Sequence, residues 1–162
     1  IRMLVNHGSN KKYYHNIIGF NSRLDSIQDA ILNIKLKYLD KYIDSRRTAA
    51  DIYDKLLSSS NKLTIPSRNL YSNHVFHQYT ITLKEKTNRF VQEELKKRGI
   101  PTMIYYPLPM HQQEALKTFS PDASNPVSEY LSERVLSLPM HTELEEKEIY
   151  YICENVISIT EK

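Results

Sequence analysis

The first residues suited to chemistry in this chain are an amide and a guanidinium group that precede a predicted helix. Asn21 and Arg23 lie beside Ser22 and Asp25, whose spacing predicts a capping box at a helix N-terminus. Free backbone N–H groups and the helix dipole attract anions at such an end. The pattern therefore indicates an anion site. For Asn21, the residues alone favour a simple helix cap over a phosphate ligand, and they leave open a surface ion pair between Arg23 and Asp25.

Two adjacent tyrosines, Tyr105 and Tyr106, end a predicted strand just before a proline-rich segment. Their rings could contact a substrate or form part of the core. His111 lies in that proline-flanked segment and is the histidine best placed to face a substrate. The paired helical spacing of a zinc site is absent, so we expect structural hydrogen bonds and no metal from His7, His74, His77 and His141.

Composition excludes several other kinds of site. Only three glycines occur, so the chain cannot form a glycine-rich phosphate-binding loop, and any cofactor needs other chain to hold it. The 22 basic and 19 acidic residues are spread along the sequence, unlike the clustered basic face of a nucleic-acid-binding protein. The single cysteine, Cys153, has apolar neighbours, which favours a buried thiol and suits a reducing cytoplasm. No apolar run approaches the ~18 residues that span a bilayer, so we expect no membrane partner.

The first half of the chain is dominated by one long predicted helix. Apolar residues recur with helical periodicity from Leu24 to Leu57 on more than one face, with a small break expected near residues 45–48. A polar stretch at residues 58–61 then predicts a loop and a domain junction.

The second half predicts strands and helices in alternation. Period-two alternation predicts a strand over residues 74–83. Thr87 then opens a helix with Phe90, Val91 and Leu95 facing inward, and Gly99 closes it. A second strand over residues 102–106 completes a predicted β-α-β unit.

Two further helices are expected near the end of the chain. Asn125 and Pro126 have the order of a cap and a first-turn proline, and this helix is predicted to carry Leu131 and Leu138. Residues 142–145 form a capping box for a last helix with one apolar face, made by Ile149, Ile152, Cys153 and Val156. The expected fold class is α+β, with a long connecting helix followed by a small sheet covered by helices on one face.

Several motifs occur in a fixed order, and together they cover nearly the whole chain: Arg2 to Gly8, Gly19 to Leu32, Lys35 to Asp40, His74 to Tyr79, Gly99 to Thr102, Tyr106 to His111 and Leu136 to His141. The most specific is Asn-Ser-Arg-Leu-Asp at residues 21–25, followed later by Tyr-Pro-Leu-Pro-Met-His at residues 106–111. This order resembles the DegT/DnrJ/StrS family of nucleotide-sugar aminotransferases, which are fold-type I enzymes that depend on pyridoxal phosphate.

The resemblance implies roles for particular residues in a site shared by the two subunits of a homodimer. Asn21 matches the asparagine that reaches the pyridoxal phosphate of the neighbouring subunit, and Arg23 is similar to an arginine that lines the sugar-nucleotide site. Tyr105 and Tyr106 stand where relatives have a histidine-tyrosine pair near the substrate, and His111 is expected on the substrate side. The tyrosine at position 105 departs from the family and leaves the sugar and nucleotide preference open.

The resemblance also implies that this chain is one part of a larger enzyme whose catalytic lysine lies in another part. The lysine that bonds the cofactor is expected upstream of residues 2–8, so no catalytic residue is predicted in this chain, which would be inactive alone. Residues 1–57 would be the end of the large cofactor-binding domain with its connecting helix, and residues 58–162 the small C-terminal domain. The whole enzyme would transfer an amino group from a donor such as L-glutamate to a keto-sugar nucleotide, for cell-surface polysaccharide or secondary-metabolite sugars.

Two alternatives remain open from the sequence. The chain starts at Ile1 without an initiator methionine, so a truncated or separately encoded module for dimerisation or substrate covering is the second reading. A minority of the family's relatives catalyse sugar dehydration, with a histidine in place of the lysine at the cofactor.

Overall fold

The computed structural model describes residues 1–22, 24–116, 119 and 124–161, and the chain divides into two compact units, residues 1–40 and 41–162. The first unit holds a short antiparallel pair, β1 (Ser9–Lys11) and β2 (Tyr14–His15), and the helix α1 (Ser26–Leu36). The helix α2 (Leu39–Leu57) lies in the second unit apart from its first two residues. The functional division predicted after residue 57 stays a prediction.

The second unit is an α+β fold, which confirms the predicted class. After α2 come β3 (Leu63–Thr64), β4 (Tyr79–Leu83), α3 (Asn88–Lys97), two short 3-10 helices (Met110–Gln112 and Glu114–Leu116), α4 (Pro126–Ser132), β5 (Val135–Leu138) and α5 (Glu146–Glu161). The three strands form one antiparallel sheet in the order β3-β4-β5, in which Ile81 pairs with Leu136. The helix α3 contacts both α5 and β5.

The long helix predicted over residues 24–57 is in fact two helices. Asp25, not Ser22, caps α1, because its side chain accepts a hydrogen bond from the Ile27 backbone N–H at 2.8 Å. The helix stops at Leu36, where Tyr38 bonds back to the Lys35 carbonyl in a tighter three-residue step. No glycine or proline marks this interruption. The break predicted at residues 45–48 is wrong, since α2 runs through it.

Helix α3 confirms the local signals that predicted it, with one exception. The Thr87 side chain accepts from the Phe90 backbone N–H, and Val91 and Leu95 are buried. Gly99 has a φ of +75°, and Ile100 N–H donates to the Leu95 carbonyl, as in a Schellman cap. Phe90 is half exposed instead of inward, and the Lys86 ammonium lies 5.1 Å from its ring centre.

The predicted β-α-β unit is wrong because a different strand fills the sheet. Of residues 102–106, only Met103 bridges to Ser137, through backbone bonds of 3.0 and 2.9 Å. The helix expected to carry Leu138 ends at Ser132, and residues 135–138 form β5. The buried Asn88 amide fixes this transition by donating to the carbonyls of Ser132 and Val135 at 2.8 and 3.0 Å.

Strand alternation also fails before residue 79. Phe76 is buried although the pattern placed it opposite Tyr79, Ile81 and Leu83, which are buried too. Its φ of +48° turns the chain, and the His74 ring accepts from the Phe76 N–H at 3.0 Å. A left-handed backbone at a bulky residue reverses side-chain direction, so no period-two pattern could predict it.

The last helix has the predicted apolar face but begins later than expected. Ile149, Ile152, Cys153 and Val156 are all buried, which confirms the face. The helix starts at Glu146, after the predicted capping box, and the Glu148 carboxylate accepts from the Glu145 N–H at 2.8 Å. The predicted burial of Cys153 is confirmed at 2 % exposure.

This core makes the stability of the chain sensitive to alkaline pH. Burial raises the pKa of the Cys153 thiol to about 12, and burial raises the pKa of the Tyr53 and Tyr79 phenols. In the unfolded chain these groups ionise near pH 9 to 10. Above that pH the folded state therefore binds more protons than the unfolded state. The free energy of unfolding should then fall by about 1.4 kcal/mol for each group with every unit by which the pH rises. The thiol's contribution is complete below about pH 9 and lost as the pH rises towards 12.

Urea unfolding at pH 7 to 11 measures this dependence. Cys153→Ala should flatten the fall between about pH 9 and 10, where the thiol is the first of the three to ionise in the unfolded chain. Equal slopes for the variant and the wild type would show that the thiol is not shielded in the folded state.

Candidate functional site

Asn21 belongs to a short backbone pairing within the first unit. Asn6 and Asn21 form an antiparallel bridge, flanked by bonds from the His7 N–H to the Phe20 carbonyl and from the Ser22 N–H to the Val5 carbonyl, both 2.9 Å. Within this pairing, Asn21 is an exposed residue. Its position is therefore fixed by main-chain contacts and not by a helix.

A close approach of backbones beside this pairing requires glycine at position 8. Gly8 has a φ of +71°, and a Cβ there would lie 1.7 Å from the Ile17 carbonyl oxygen. Gly8 also donates to the Met3 carbonyl and accepts from Asn16, both at 2.9 Å. The glycine thus lets two chain segments meet without side chains between them.

Gly8→Ala is expected to loosen the segment that carries Asn21, and Gly99→Ala provides the matched control. Both glycines have a positive φ, but a Cβ on Gly99 meets no atom within 4 Å. Amide hydrogen exchange at His7, Phe20 and Ser22 should accelerate by at least about tenfold in Gly8→Ala because local opening becomes easier. The same amides should be unchanged in Gly99→Ala. Unchanged exchange in Gly8→Ala would mean that the backbone absorbs the methyl group.

The helix-end geometry predicted around Asn21 is corrected by the structure. Because Asp25 caps α1 and the helix begins at Ser26, Asn21 lies before the cap and is not the cap itself. A phosphate at Asn21 would be bound by the side-chain amide, which is a neutral N–H donor. Arg23 lies outside the described residues.

Tyr105 and Tyr106 occupy a loop in the second unit, where no strand forms. Tyr106 is 78 % exposed and has a φ of +56° just before Pro107. A left-handed conformation is strained for an aromatic residue, and such strain concentrates at functional sites. Tyr105 is 42 % exposed, so neither tyrosine is a core residue.

Tyr105 lines an open cleft of about 200 Å³ at the end of β5. His77, Met103 and Met140 contribute to its wall. Thr102 also lines it, and the Thr102 Oγ1 atom is buried without a hydrogen-bond partner among the residues that the structure describes. A buried hydroxyl usually has a hydrogen-bond partner, so the Thr102 hydroxyl is an exception in the wall of the cleft.

His111 is held by a carboxylate that the sequence did not single out. In the 3-10 helix Met110–Gln112, its Nε2 atom lies 2.9 Å from Oε1 of Glu129 on α4, and its side chain is 10 % exposed. The same carboxylate oxygen accepts from the Asn125 N–H at 3.1 Å. These two bonds, the backbone bond first, lower the pKa of the Glu129 carboxyl.

Glu129 is a polar partner that the motifs do not include. A glutamate within the first turn after Asn125 and Pro126 is a helix-start signal, and it could have identified Glu129 as a cap partner. No sequence signal connects it to His111, eighteen residues earlier.

Among residues 1–22, 24–116, 119 and 124–161, no group of three or more His, Cys, Asp or Glu side chains could hold a metal ion. No helix in this part of the chain is long and apolar enough to cross a membrane.

Comparison with known proteins decides which family these features belong to. The DegT/DnrJ/EryC1/StrS aminotransferase family matches residues 1–157. The chain belongs to this family. Members of the DegT/DnrJ/EryC1/StrS family are pyridoxal-phosphate-dependent aminotransferases, which confirms the resemblance seen in the motifs.

Two curated relatives and one solved structure show how much of a family member the chain represents. It is 44 % identical over 155 residues to a UDP-N-acetyl-3-dehydro-alpha-D-glucosamine 3-aminotransferase of Acidithiobacillus ferrooxidans, covering 94 % of this chain and 40 % of that protein. It is 39 % identical over 158 residues to a pleiotropic regulatory protein of Geobacillus stearothermophilus, covering 96 % and 42 %. DesV of S. venezuelae, solved with a ketimine intermediate, superposes with a TM-score of 0.92 at 33 % identity, covering 99 % and 43 %. The chain therefore spans about two fifths of the length of these relatives.

Proposed function

We propose that this chain is the C-terminal portion of a pyridoxal-phosphate-dependent aminotransferase that transfers an amino group to a keto-sugar nucleotide. L-glutamate is the proposed donor, and the product is a precursor of cell-surface polysaccharide or a secondary-metabolite sugar. The enzyme is proposed to work in the cytoplasm as a homodimer with a shared active site. The observation that carries the proposal is the family match over residues 1–157.

Asn21 is the proposed contribution of this chain to cofactor binding. When bound, pyridoxal phosphate accepts the electron pair released at the amino-bearing carbon, which makes amino transfer feasible. The Asn21 amide would donate an N–H to a phosphate oxygen. Its fit rests on an exposed side chain whose backbone is fixed by the bridge to Asn6. Arg23 would donate two parallel hydrogen bonds from its guanidinium group to a phosphate or carboxylate of the substrate.

Tyr105, Tyr106 and His111 are the proposed substrate-side residues. The exposed ring of Tyr106 and its strained backbone support a ligand-contacting role. The open cleft of about 200 Å³ that Tyr105 lines supports a ligand-contacting role for its ring. We place the lysine that bonds the cofactor outside residues 1–162. The chain would then position the cofactor and the substrate without forming a covalent bond to either of them.

Absorbance titration with pyridoxal phosphate tests the proposal on the full-length protein and on residues 1–162 alone. We expect bound cofactor only in the full-length protein, and borohydride should then fix it to a lysine outside residues 1–162. L-glutamate followed by a panel of keto-sugar nucleotides should return an aminated sugar nucleotide.

A full-length protein that binds no cofactor would overturn the proposal. The non-catalytic interaction module would then be favoured, in line with the relative named as a regulatory protein. A full-length protein that binds the cofactor but eliminates water from the sugar would instead identify a dehydratase.

A further inference from the structure

The contact between His111 and Glu129 joins two segments that are distant in sequence. His111 belongs to a 3-10 helix after the tyrosine loop, and Glu129 belongs to α4. Their Nε2 and Oε1 atoms are 2.9 Å apart, and the histidine side chain is almost buried. This contact favours the ring orientation in which Nε2 faces the Glu129 carboxylate.

The carboxylate of Glu129 is itself fixed. Its Oε1 atom accepts the Asn125 N–H at 3.1 Å, a donor that the start of α4 would otherwise leave unsatisfied. The bonds from Asn125 and His111 hold the pKa of the Glu129 carboxyl below its ordinary value, so the group is ionised at neutral pH. An ionised carboxylate only accepts hydrogen bonds.

The Glu129 carboxylate therefore determines which nitrogen of the His111 ring carries the hydrogen. Because the carboxylate cannot donate, Nε2 of His111 must carry the hydrogen in this contact. In the neutral ring the other nitrogen, Nδ1, is then the acceptor. Among the described residues, no hydrogen bond joins Nδ1 of His111 to another group.

We propose that Glu129 is a positioning residue for the transfer to the sugar nucleotide: it holds His111 in the Nε2–H form so that Nδ1 accepts a hydrogen bond from a substrate hydroxyl. This inference rests on the proposed function, because it requires a hydroxyl-bearing substrate beside His111.

The test uses the full-length enzyme with Glu129→Gln. Glutamine keeps the size and an oxygen for the Asn125 N–H, but its amide can turn to donate to Nε2, which releases the tautomer. The KM for the keto-sugar nucleotide should rise about tenfold, the loss expected for one hydrogen bond. The half-reaction with L-glutamate should stay within about twofold, because it does not involve the sugar.

Two controls separate positioning from a structural role. Glu133→Gln removes an exposed carboxylate just after α4 and should leave both half-reactions unchanged. In a His111→Gln background, Glu129→Gln should add less than about a twofold change, because a residue that acts through another has no separate effect. Equal losses in both half-reactions, or an unchanged KM for the sugar nucleotide, would overturn the proposal.

A spectroscopic readout keeps this inference distinct from the proposed function. With [15N]histidine in the full-length protein, the resonance lost in His111→Gln identifies the residue, and its two nitrogen shifts report which one carries hydrogen. We expect a hydrogen on Nε2 in the wild type and a mixture in Glu129→Gln. Hydrogen on Nδ1 in the wild type, as the Nδ1–H tautomer or as the doubly protonated ring, would overturn the inference even in an active enzyme. A wild type with the Nε2–H tautomer but no glutamate half-reaction would show that the proposed function has failed, and with it the positioning role of Glu129 in the transfer, while the tautomer assignment would stand.

Discussion

Asn21→Asp in the full-length enzyme is expected to weaken pyridoxal phosphate binding by about two orders of magnitude. The substitution changes shape very little but replaces an N–H donor with an acceptor, and it adds a negative charge beside the proposed phosphate. Losing a hydrogen bond to a charged group costs about 1.5 to 3 kcal/mol, and 2.7 kcal/mol corresponds to a hundredfold. Absorbance titration of the bound cofactor measures the change.

Asn61→Asp is the matched control for Asn21→Asp. It makes the same chemical change at an exposed asparagine in the loop after α2, and cofactor affinity should remain within about twofold of the wild type. An Asn21→Asp variant with unaltered affinity would remove this residue from the cofactor site and leave it with its backbone role in the first unit.

The same variant tests whether the site is shared between subunits. Asn21→Asp can be mixed with a variant that lacks the cofactor-bonded lysine, under conditions that exchange subunits. If each site takes its asparagine from the neighbour, mixed dimers contain one intact site, and about a quarter of wild-type activity should return. If both groups come from one subunit, the mixture should be no more active than the average of the two variants alone.

Leu136→Ala should destabilise residues 1–162 by about 3 kcal/mol, the second large effect that we expect. Leu136 is fully buried in β5 and lies opposite Ile81 in the central strand β4. Removing its side chain leaves a cavity between strands that are fixed by main-chain bonds, so the surroundings cannot collapse to fill it. Urea unfolding followed by circular dichroism measures the loss.

Leu70→Ala is the matched control because it makes the same deletion at a fully exposed leucine in the same unit. It should change the free energy of unfolding by no more than about 0.5 kcal/mol. A small effect of Leu136→Ala would show that β5 is not an integral part of the sheet. That result would also question the Met103 to Ser137 bridge that leads into the tyrosine loop.

The parts of the fold that local chemistry controls could be predicted from the sequence. Thr87 caps α3, Gly99 ends it with a positive φ, and the apolar face of α5 is buried as its spacing indicated. In each case the cause lies within about one turn of the residue concerned, because helix ends and helix faces depend on neighbours three or four positions away. The motifs likewise pointed to the family that the comparisons show.

Contacts between distant residues decided the rest. Residues 135–138 continue an apolar helical pattern, yet they form a strand because they pair with β4 and because Asn88 donates to the carbonyls of Ser132 and Val135. The left-handed conformations of Phe76 and Tyr106 are also invisible in a pattern of residue types.

For the candidate site, the sequence determined residue types and the family that uses them, and the tertiary structure decided their surroundings. Asn21, Tyr105, Tyr106 and His111 could be named from motifs alone. Only the fold shows that Asn21 is placed by a backbone bridge instead of a helix end, and that Glu129 fixes the ring of His111. The physical reason is that a hydrogen-bond partner is selected by proximity in space, and chain folding brings together residues whose separation in sequence carries no periodic signal.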